Sequence, residues 1–333
     1  MAKRVGIVEV AMLPGAETKD YFLDQVFKVT KEVLDKAGIS REEIGTVVSA
    51  STDLFHSGQS CANAYYWDAG AAWLKNGSRQ DGESLFAFAY AAMRILSGKF
   101  DTALVLGVCK GSENPDNDML THFYTDPFYQ RPIGINETSV AALQKRQYMD
   151  RCKITQEQCA KVVAKNLGNA LKNPYAHVKK RVSVEQVLKS PFAYDPLFEM
   201  ECGPKSEGFI AMLLAGEDKA KKLTKNPVWL KGYGSSMDSY YLGDRDLIEG
   251  QLPNAAKRAY AMAGIDKPLK EIDMMELCEP YAFQELLWYE DLGLCKRGEG
   301  GKLIDKGVTD MGGKLPVNPS GGVLANNPYI PRG

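Results

Sequence analysis

The sequence has little that could hold a metal ion and no apolar run long enough to cross a membrane. Only three histidines occur among its 333 residues, and they lie far apart, at His56, His122 and His177. The seven cysteines include no Cys-x-x-Cys pair. Because zinc sites in proteins are built from closely spaced Cys and His ligands, we expect no metal in this chain. No apolar run approaches the length of about 18 residues that a transmembrane helix requires, so we expect no membrane span.

The sequence also lacks an excess of charge of either sign and an export signal. Lys and Arg together number 41, and Asp and Glu number 42. This balance argues against a nucleic-acid or membrane-surface protein, because those proteins need a basic excess. The start, Met-Ala-Lys-Arg-Val-Gly-Ile-Val, leads straight into a strand pattern without the apolar stretch of a signal peptide. An odd number of irregularly spaced cysteines indicates free thiols. We therefore expect a cytoplasmic protein.

Strand and helix patterns alternate through the first third of the chain. Apolar residues at helical spacing over 20–37 end at Gly38, which is a typical helix stop. A second helix is predicted over 84–97. Its buried face is predicted to consist of Leu85, Phe88, Ala89, Ala92 and Leu96. The predicted strands cover 4–10, 45–51 and 102–108. The last of these strands is wholly apolar, as is typical of a strand covered on both faces of its sheet.

The same succession returns near the C-terminus. Ala-Gly-Ile occurs at residues 37–39 and again at 263–265, each time after a helix and several residues before a buried strand. This weak duplication predicts two similar α/β halves, each built on a mostly parallel sheet with crossover helices. The second copy is predicted to contain strands over 227–233 and 272–277 and a helix over 253–263.

The region between the two halves has a different composition. It contains helical patterns at 137–150 and 155–171 and several loops bounded by proline. A long insertion on an α/β scaffold is where substrate contacts commonly lie. The expected organisation is the first part of the N-terminal half at 1–110, an inserted region lining the substrate site at 111–200, the end of that half at 201–225, and a short C-terminal half at 226–333.

Residues 276–295 join the end of an apolar strand to an amphipathic helix, with Cys278 and Glu279 at the junction. The carboxyl end of a strand is where open α/β sheets bind ligands. Cys278 is therefore interpreted either as a nucleophile or proton shuttle, or as a small buried hydrophobic residue. Glu279 would then be a base or an orienting group. The other cysteines are interpreted as packing residues: Cys61, Cys109, Cys152, Cys159, Cys202 and Cys295.

A glycine-rich segment, Gly312-Gly-Lys-Leu-Pro-Val-Asn-Pro-Ser-Gly-Gly322, begins about twenty residues after the end of that stretch. Glycine carries no Cβ, so Gly321 and Gly322 would let the backbone approach another group closely. Asn318-Pro-Ser320 leads into this turn. The sequence contains no GxGxxG motif after a strand and no P-loop, so nicotinamide and nucleoside triphosphate cofactors find no support.

These two segments, with three others in the same order, resemble the sterol-carrier-protein type of thiolase. The other three are Asp81–Gly107, Asn173-Pro-Tyr-Ala-His177 and Ser206-Glu-Gly208. The resemblance covers nearly the whole chain. It implies an α/β thiolase fold, with two similar α/β halves in an α-β-α-β-α arrangement, an inserted loop domain and an apparently truncated C-terminus. Thiolases make or break carbon–carbon bonds next to a coenzyme A thioester.

The resemblance implies thiolytic cleavage, or the reverse condensation, of a β-oxoacyl-CoA, with coenzyme A as co-substrate. An aromatic substrate such as benzoylsuccinyl-CoA is the specific guess, which would connect the protein with aromatic degradation. Ser320, Gly321 and Gly322 would lie at the thioester. His122 and Phe123, with Tyr124, Phe128 and Tyr129, could line a pantetheine tunnel, but the same aromatic stripe is consistent with ordinary core, which we favour.

The N-terminal catalytic position departs from the family. The family's nucleophilic Cys lies at a helix N-terminus, where the helix dipole favours the thiolate. In this sequence that position falls near Asp81, and residues 79–86 contain no Cys. Ser84 is the nearest hydroxyl, although it would need a strong neighbouring base. Asp81 is interpreted as a helix N-cap, with general base as the alternative.

The C-terminal catalytic position also differs. The resemblance puts Cys278 at one of the family's His positions and Asn327 at another. Asn327 can donate to a thioester oxygen but cannot remove a proton near neutral pH; it is equally a turn residue before Pro328. Tyr329 is a further acid candidate, because aldolase-like relatives use Tyr in this region. The chain ends at Gly333, before the family's last helix and two strands, so we expect either a shortened form or strands supplied from elsewhere.

These departures leave two alternatives to thiolysis. One is retro-aldol cleavage of a β-hydroxyacyl-CoA, which needs a base and an oxyanion pocket but no covalent thiol. The other is a non-catalytic subunit with a thiolase fold. The resemblance is strongest to a branch that works with a small partner protein carrying a zinc ribbon and an OB-fold, so zinc is possible in that partner. A homodimer that pairs through the sheet edge of the N-terminal half is also expected.

Overall fold

The computed structural model describes residues 4–52, 66–114 and 116–328. The chain divides into two compact units, and each is described here by itself. The first unit comprises Met1–Pro115, Lys205–Leu230 and Asn327–Gly333. The second comprises Asp116–Pro204 and Lys231–Asn326. The inserted region therefore shares a unit with most of the C-terminal segment.

The first unit is built on one sheet, whose strands and helices are numbered in chain order along the whole molecule. They are β1 (Val5–Met12), α1 (Phe22–Ala37), β2 (Thr46–Ser51), β3 (Asn76–Asp81), α2 (Ser84–Leu96), β4 (Thr102–Lys110), β7 (Glu207–Gly216), α7 (Glu217–Leu223) and β8 (Val228–Trp229). The order of the strands across the sheet is β3-β2-β4-β7-β1-β8. All nine residues of β4 are buried, as its apolar sequence predicts.

The sheet is mixed, so the prediction of a mostly parallel sheet is wrong. β2 pairs in parallel with β3 and with β4, and β4 pairs antiparallel with β7. β7 in turn pairs antiparallel with β1, and β1 with β8. Because β7 follows the long insertion, it re-enters the sheet in the direction opposite to β4. A continuous apolar run fits either orientation, so the sequence pattern did not specify it.

Local signals placed α1 and its end correctly. Val26, Val29 and Val33 are fully buried on one face of the helix. Gly38 ends the helix with φ at 66°, a left-handed conformation that glycine adopts without strain. Beyond it, Ser40 and Glu43 form a capping box.

The predicted buried face of α2 is partly wrong. Ala87, Ala89, Ala91, Ala92 and Ile95 are its buried residues. The larger Leu85 and Leu96 are 50% and 40% exposed. Small alanine side chains let the helix lie close to the sheet, which leaves bulky residues on its outer face.

The second unit is mostly helical. Its helices are α3 (Asn117–Phe123), α4 (Glu137–Cys152), α5 (Gln156–Ala170), α6 (Val184–Leu188), α8 (Leu252–Ala263), α9 (Pro268–Glu271), α10 (Ala282–Asp291) and α11 (Gly300–Asp305), and β5 (Phe192–Tyr194) pairs with β6 (Leu197–Phe198). The core of this unit includes Val162, Val163, Phe283 and Leu286, all fully buried. The predicted strand over 272–277 is reduced to one parallel bridge, between Met275 and Val317.

A buried ion pair lies inside the second unit. The Lys145 ammonium on α4 donates to Glu201 Oε2 at 2.5 Å, and neither side chain is exposed. It also donates to the carbonyl oxygen of Pro196 at 2.8 Å and to Gln156 Oε1 at 2.5 Å. These bonds fix α4 to the segment that contains β6.

Among the described residues, no helix combines the length and the apolar character that crossing a membrane requires.

Candidate functional site

The turn that carries Cys278 and the turn that carries Gly322 lie together in the second unit, as the sequence predicts. The Met275 amide donates to the Pro316 carbonyl at 3.0 Å, and the Asn318 amide donates to the Met275 carbonyl at 2.8 Å. The Leu277 amide then donates to Asn318 Oδ1 at 2.7 Å. Asn318 therefore terminates the bridge and holds the two turns side by side.

Glu279 lies at the bottom of this junction with no exposed surface. Its Oε1 accepts a hydrogen bond from Asn318 Nδ2 at 2.8 Å and another from Asn166 Nδ2 at 3.1 Å. The same two amide nitrogens each donate to Glu285 Oε2 at 2.7 Å. Two buried carboxyl groups thus share the same pair of amide donors.

The second carboxyl group has additional partners that the first lacks. Lys165 Nζ, whose side chain is 6% exposed, forms an ion pair with Glu285 Oε1 at 2.5 Å. The Tyr289 hydroxyl also donates to Glu285 Oε1. Glu279 Oε2 has no hydrogen-bond partner among the described residues. The network therefore neutralises Glu285 locally and leaves one oxygen of Glu279 unsatisfied.

The pKa of Glu279 is raised well above its ordinary value. Burial is the main cause, and the neighbouring negative charge of Glu285 is the second. Hydrogen bonds from its own backbone amide and from Asn318 lower the pKa but do not compensate. The carboxyl group is thus held in its protonated form at a higher pH than usual, and a neutral carboxylic acid can donate a proton.

Gly321 and Gly322 are required by close packing. Gly322 has φ at +61°, and a Cβ there would lie 2.8 Å from both Glu279 Oε1 and Asn318 Nδ2. Gly321 has φ at +104°, and its Cβ would lie 2.6 Å from that of Ala170. The expectation of a close approach is confirmed for groups of the protein itself, namely the buried carboxyl and its amide donor.

Ser320 connects the two turns a second time. Its backbone amide and its hydroxyl both donate to the Glu276 carboxylate at 2.8 Å. The Asn173 side chain donates to the Ser320 carbonyl at 3.0 Å, and the amides of His177 and Val178 donate to the carbonyl of Ala325. The Asn-Pro loop, the strand-end turn and the glycine turn therefore meet at one place.

Cys278 is a half-buried cysteine at this junction. Cys109 and Cys159 are buried, and burial raises the pKa of Cys159 to about 12. Burial also raises the pKa of Cys202 and of Cys295 to about 12. These thiols resist ionisation, as packing residues do. Cys152, half-buried, also has a raised pKa for the same reason, and Cys61 lies outside the described residues.

The N-terminal candidates belong to the first unit. Asp81 is the last residue of β3, and its side chain is 74% exposed beside Arg79. The N-cap of α2 is Glu83, so the N-cap interpretation of Asp81 is wrong, because the strand continues further than its polar sequence suggests. Ser84 is the first residue of α2 and is half-buried.

The last two candidates come from the end of the chain. Asn327 is 3% exposed and is grouped with the first unit, whereas Cys278, Glu279 and Ser320–Gly322 belong to the second. Tyr329 lies outside the described residues.

The aromatic stripe after α3 is not core, so that interpretation is wrong. Phe128 and Tyr129 are 79% and 75% exposed, and Phe123 and Tyr124 are 49% and 44% exposed. The imidazole Nδ1 of His122 lies 2.8 Å from the Ile135 carbonyl oxygen. Since a carbonyl only accepts, Nδ1 carries the proton. No group of three or more His, Cys, Asp or Glu side chains among the described residues is arranged to hold a metal ion.

Sequence reasoning missed Lys165, Asn166 and Glu285, the residues that surround Glu279. Lys165 and Asn166 are adjacent on α5, and Glu285 lies on α10. The one available signal was polar residues within helices whose other inward positions are apolar, and a helix surface carries many such residues.

Comparisons with known proteins agree with the arrangement of these segments. Residues 234–332 match a family described as thiolase C-terminal domain-like. The chain is 34% identical to an acetyl-CoA acetyltransferase of Methanothermobacter thermautotrophicus, over 70% of this chain and 61% of that protein. It is 29% identical to sterol carrier protein 2 of Bos taurus, over 98% of this chain and 63% of that protein. It is 33% identical to the benzoylsuccinyl-CoA thiolase subunit BbsB of Thauera aromatica, over 58% of this chain and 50% of that protein.

Solved structures match across nearly the whole chain. An Ltp2-ChsH2(DUF35) aldolase superposes with a TM-score of 0.81 at 22% identity, covering 96% of this chain and 85% of that one. Human mitochondrial 3-ketoacyl-CoA thiolase in complex with CoA superposes with a TM-score of 0.72 at 18% identity, covering 99% and 88%. At these identities the superpositions establish the fold alone. The chain spans 61% to 63% of the length of the acetyltransferase and the sterol carrier protein above.

Proposed function

The chain belongs to the thiolase superfamily, in the branch that includes sterol carrier protein 2, and we propose that it makes or breaks the carbon–carbon bond next to a coenzyme A thioester. The observation that carries the proposal is the junction of the strand-end turn with the glycine turn. A half-buried thiol and a carboxyl group with a raised pKa adjoin there, at Cys278 and Glu279. Cleavage of the carbon–carbon bond next to a thioester needs a nucleophile and an acid, and these two groups could supply them.

In the thiolytic direction, the thiolate of Cys278 attacks the keto carbon of a β-oxoacyl-CoA. The carbon–carbon bond then breaks, and its electron pair remains on the α-carbon as the thioester enolate. Glu279 supplies the proton that converts this enolate into an acyl-CoA. The acyl group then passes from Cys278 to the sulfur of coenzyme A, which gives a second acyl-CoA and releases the Cys278 thiolate. The proton of the coenzyme A thiol returns to Glu279. An amide donor would stabilise the enolate oxygen, and Asn327 is the residue to test for that role.

The substrate guess remains an aromatic β-oxoacyl-CoA such as benzoylsuccinyl-CoA. Similarity to a benzoylsuccinyl-CoA thiolase subunit supports it, at 33% identity. By the same likeness we propose a homodimer and a small partner protein with a zinc ribbon and an OB-fold. Contacts with coenzyme A from His122 and Phe123 are part of the same proposal, since Phe123 is half exposed and available to a ligand.

Retro-aldol cleavage of a β-hydroxyacyl-CoA is the second candidate. It is favoured by the composition of residues 79–86, which contain no Cys at the turn from β3 into α2. In that reaction a base removes the hydroxyl proton, a carbonyl forms, and the electron pair of the broken bond again becomes the enolate. Asp81, Ser84 and Tyr329 would be the groups to test as the base or as its orienting partner.

One experiment separates these possibilities. The purified chain, alone and with its partner, is incubated with a β-oxoacyl-CoA and with a β-hydroxyacyl-CoA, each with and without free coenzyme A. Thiolysis requires coenzyme A, whereas aldol cleavage proceeds without it. Turnover of neither substrate class by the assembled protein would leave the non-catalytic subunit as the answer.

The role of the thiol is tested by Cys278→Ala. We expect at least a hundredfold loss of thiolysis, with Cys295→Ala as the matched control because that half-buried thiol has a pKa of about 12. Full activity of the Cys278→Ala protein would remove this thiol from the mechanism.

A further inference from the structure

A cleft of about 440 Å³ opens within the second unit, beside the proposed catalytic turn. Pro280 and Tyr281, which follow Glu279 directly in the chain, form part of its wall. The other lining residues come from α3, α4, the segment 124–136 between them, the loop over 238–250 and α10. A molecule in the cleft would therefore contact the residues that follow Glu279 in the chain.

Arg245 lines this cleft and is half-buried. Its Nε is buried and has no hydrogen-bond partner, and the guanidinium makes no ion pair with any residue that the structure describes. Several other arginines of the second unit have partners within the protein. Arg146 and Arg151 pair with carboxylates, and Arg131 donates to backbone carbonyls. A half-buried cation without a partner is costly in the free protein.

Three acidic residues line the cleft, Glu137, Asp238 and Asp246, and none of them forms an ion pair with Arg245 among the described residues. Asp246 is paired with Arg151, and it accepts hydrogen bonds from the amides of Ile248 and Glu249. Asp238 accepts from the amide of Ser239 at 2.8 Å. The side chains of Asp238 and Asp246 therefore accept hydrogen bonds from the backbone of the loop that contains Arg245, and they fix that backbone. The guanidinium is left as the positively charged donor in the wall of the cleft.

A second polar group in the cleft, the side-chain amide of Gln284, is oriented by two consecutive hydrogen bonds. Gln144 donates through Nε2 to the Leu247 carbonyl at 2.6 Å, which turns its Oε1 toward Gln284. Gln284 Nε2 donates to that oxygen at 2.9 Å. Gln284 Oε1 is consequently left buried without a partner among the described residues. The cleft thus offers one unpaired donor group and one unpaired acceptor, as a built binding site does.

We propose that Arg245 binds an oxyanion of the acyl-CoA substrate, a carboxylate carried by its acyl chain. The planar guanidinium matches a carboxylate through two parallel hydrogen bonds. The inference rests on the proposed function, because it takes the ligand to be an acyl-CoA. The phosphate groups of coenzyme A have the same chemistry as a carboxylate, so the test must separate the two sources.

The test is a binding measurement by isothermal titration calorimetry. Its probes are succinyl-CoA and butyryl-CoA, which have acyl chains of equal carbon number and differ in a carboxylate against a methyl group. Neither is a β-oxoacyl thioester, so binding is read without turnover. The Arg245→Gln protein should lose roughly 10- to 100-fold in affinity for succinyl-CoA and less than about threefold for butyryl-CoA. Arg146→Gln, which removes an exposed paired cation, should change neither.

Each other result is decisive. An equal loss for both thioesters that vanishes with succinyl-pantetheine and butyryl-pantetheine, which lack the phosphates, assigns the oxyanion to coenzyme A and overturns the acyl carboxylate. Unchanged affinity for every probe in Arg245→Gln overturns the inference while leaving the proposed function intact. A wild-type protein that binds none of the thioesters overturns the proposed function itself. If Arg245→Gln fails to fold, Arg245→Lys is the second variant, because it keeps the charge but loses the two parallel N–H donors of the guanidinium. It should show a smaller loss of affinity, confined to succinyl-CoA.

Discussion

The side-chain amide of Asn318 donates to Glu279 Oε1 at 2.8 Å, while the side-chain oxygen of the same residue accepts from the Leu277 amide at 2.7 Å. One asparagine therefore fixes both the carboxyl group and the strand end that precedes it. Asn318 has φ at 53°, in the left-handed region that asparagine tolerates better than most residues. Its position explains why the Asn-Pro-Ser segment leads into the glycine turn.

The raised pKa of Glu279 predicts how stability depends on pH. Its folded-state pKa lies above its unfolded value, so its contribution to stability is complete below the ordinary carboxyl range and is lost as pH rises through the folded pKa. Glu279→Gln keeps the acceptor at Oε1 but does not titrate. We expect the free energy of unfolding of this variant, relative to wild type, to increase between about pH 5 and about pH 8. Urea denaturation at both pH values measures it.

Glu217→Gln is the control for that experiment, because the pKa of Glu217 is shifted in the opposite direction to that of Glu279. Hydrogen bonds from Arg4 and Lys221 hold the pKa of Glu217 at about 2, so its contribution is present above the ordinary carboxyl range and is lost as pH falls. The difference between Glu217→Gln and wild type should therefore stay constant from about pH 5 to about pH 8. A difference for Glu279→Gln that is equally constant would contradict protonation of this carboxyl in the folded protein.

Gly322→Ala should destabilise the protein by about 2 kcal/mol or more. The φ of +61° costs an L-residue about 1 kcal/mol or more. The new Cβ would also lie 2.8 Å from Glu279 Oε1 and Asn318 Nδ2, both fixed by hydrogen bonds. Thermal and urea unfolding measure the loss. Gly312→Ala is the matched control, because a Cβ there meets nothing within 4 Å, and it should stay within about 0.5 kcal/mol of wild type. Equal stability of the two variants would show that the glycine turn relaxes freely.

The parts of the fold that the sequence predicted are those set by local chemistry. The end of α1 at Gly38 needs only a glycine in the left-handed conformation, and the buried strand β4 needs only a continuous apolar run. By contrast β3, with the sequence Asn-Gly-Ser-Arg-Gln-Asp, is a strand because it pairs in parallel with β2. A polar segment carries no periodic signal for such a tertiary interaction.

The site follows the same division. Cys278, Glu279 and Gly322 were identified because a strand end and a glycine pair are visible in the chain itself. The residues that set the pKa of Glu279 were not, since Asn166 and Glu285 come from two different helices. Their effect depends on burial and on distances between side chains that lie far apart in sequence. Asn166 and Glu279, for example, are 113 residues apart. Pairing of buried polar groups is decided by packing.

Lys145→Met should cost about 3–5 kcal/mol, because it leaves the buried Glu201 carboxylate without its counter-charge. Burial already raises the pKa of Glu201, and Lys145 is the main influence that opposes this. Chemical denaturation gives the value. Arg146→Met, at the next position, breaks an ion pair with Asp195 whose side chains are 47% and 66% exposed, so it should cost less than about 1 kcal/mol. Similar losses for the two variants would show that Glu201 finds another partner.

The outer face of α2 predicts where two copies of the chain associate. Phe86, Tyr90 and Met93 form one stripe at helical spacing and are 52%, 36% and 54% exposed. The helix follows β3, which is an edge strand of the sheet formed by the described residues, and an edge strand offers unpaired backbone groups. Exposed apolar stripes beside an open edge are typical of subunit interfaces.

Met93→Glu should therefore shift the protein from dimer to monomer in sedimentation velocity, while Met237→Glu, at a residue 92% exposed in the second unit, should leave the dimer intact. A wild-type protein that sediments as a monomer at micromolar concentration would refute the dimer, and an unchanged dimer in Met93→Glu would move the interface away from this helix.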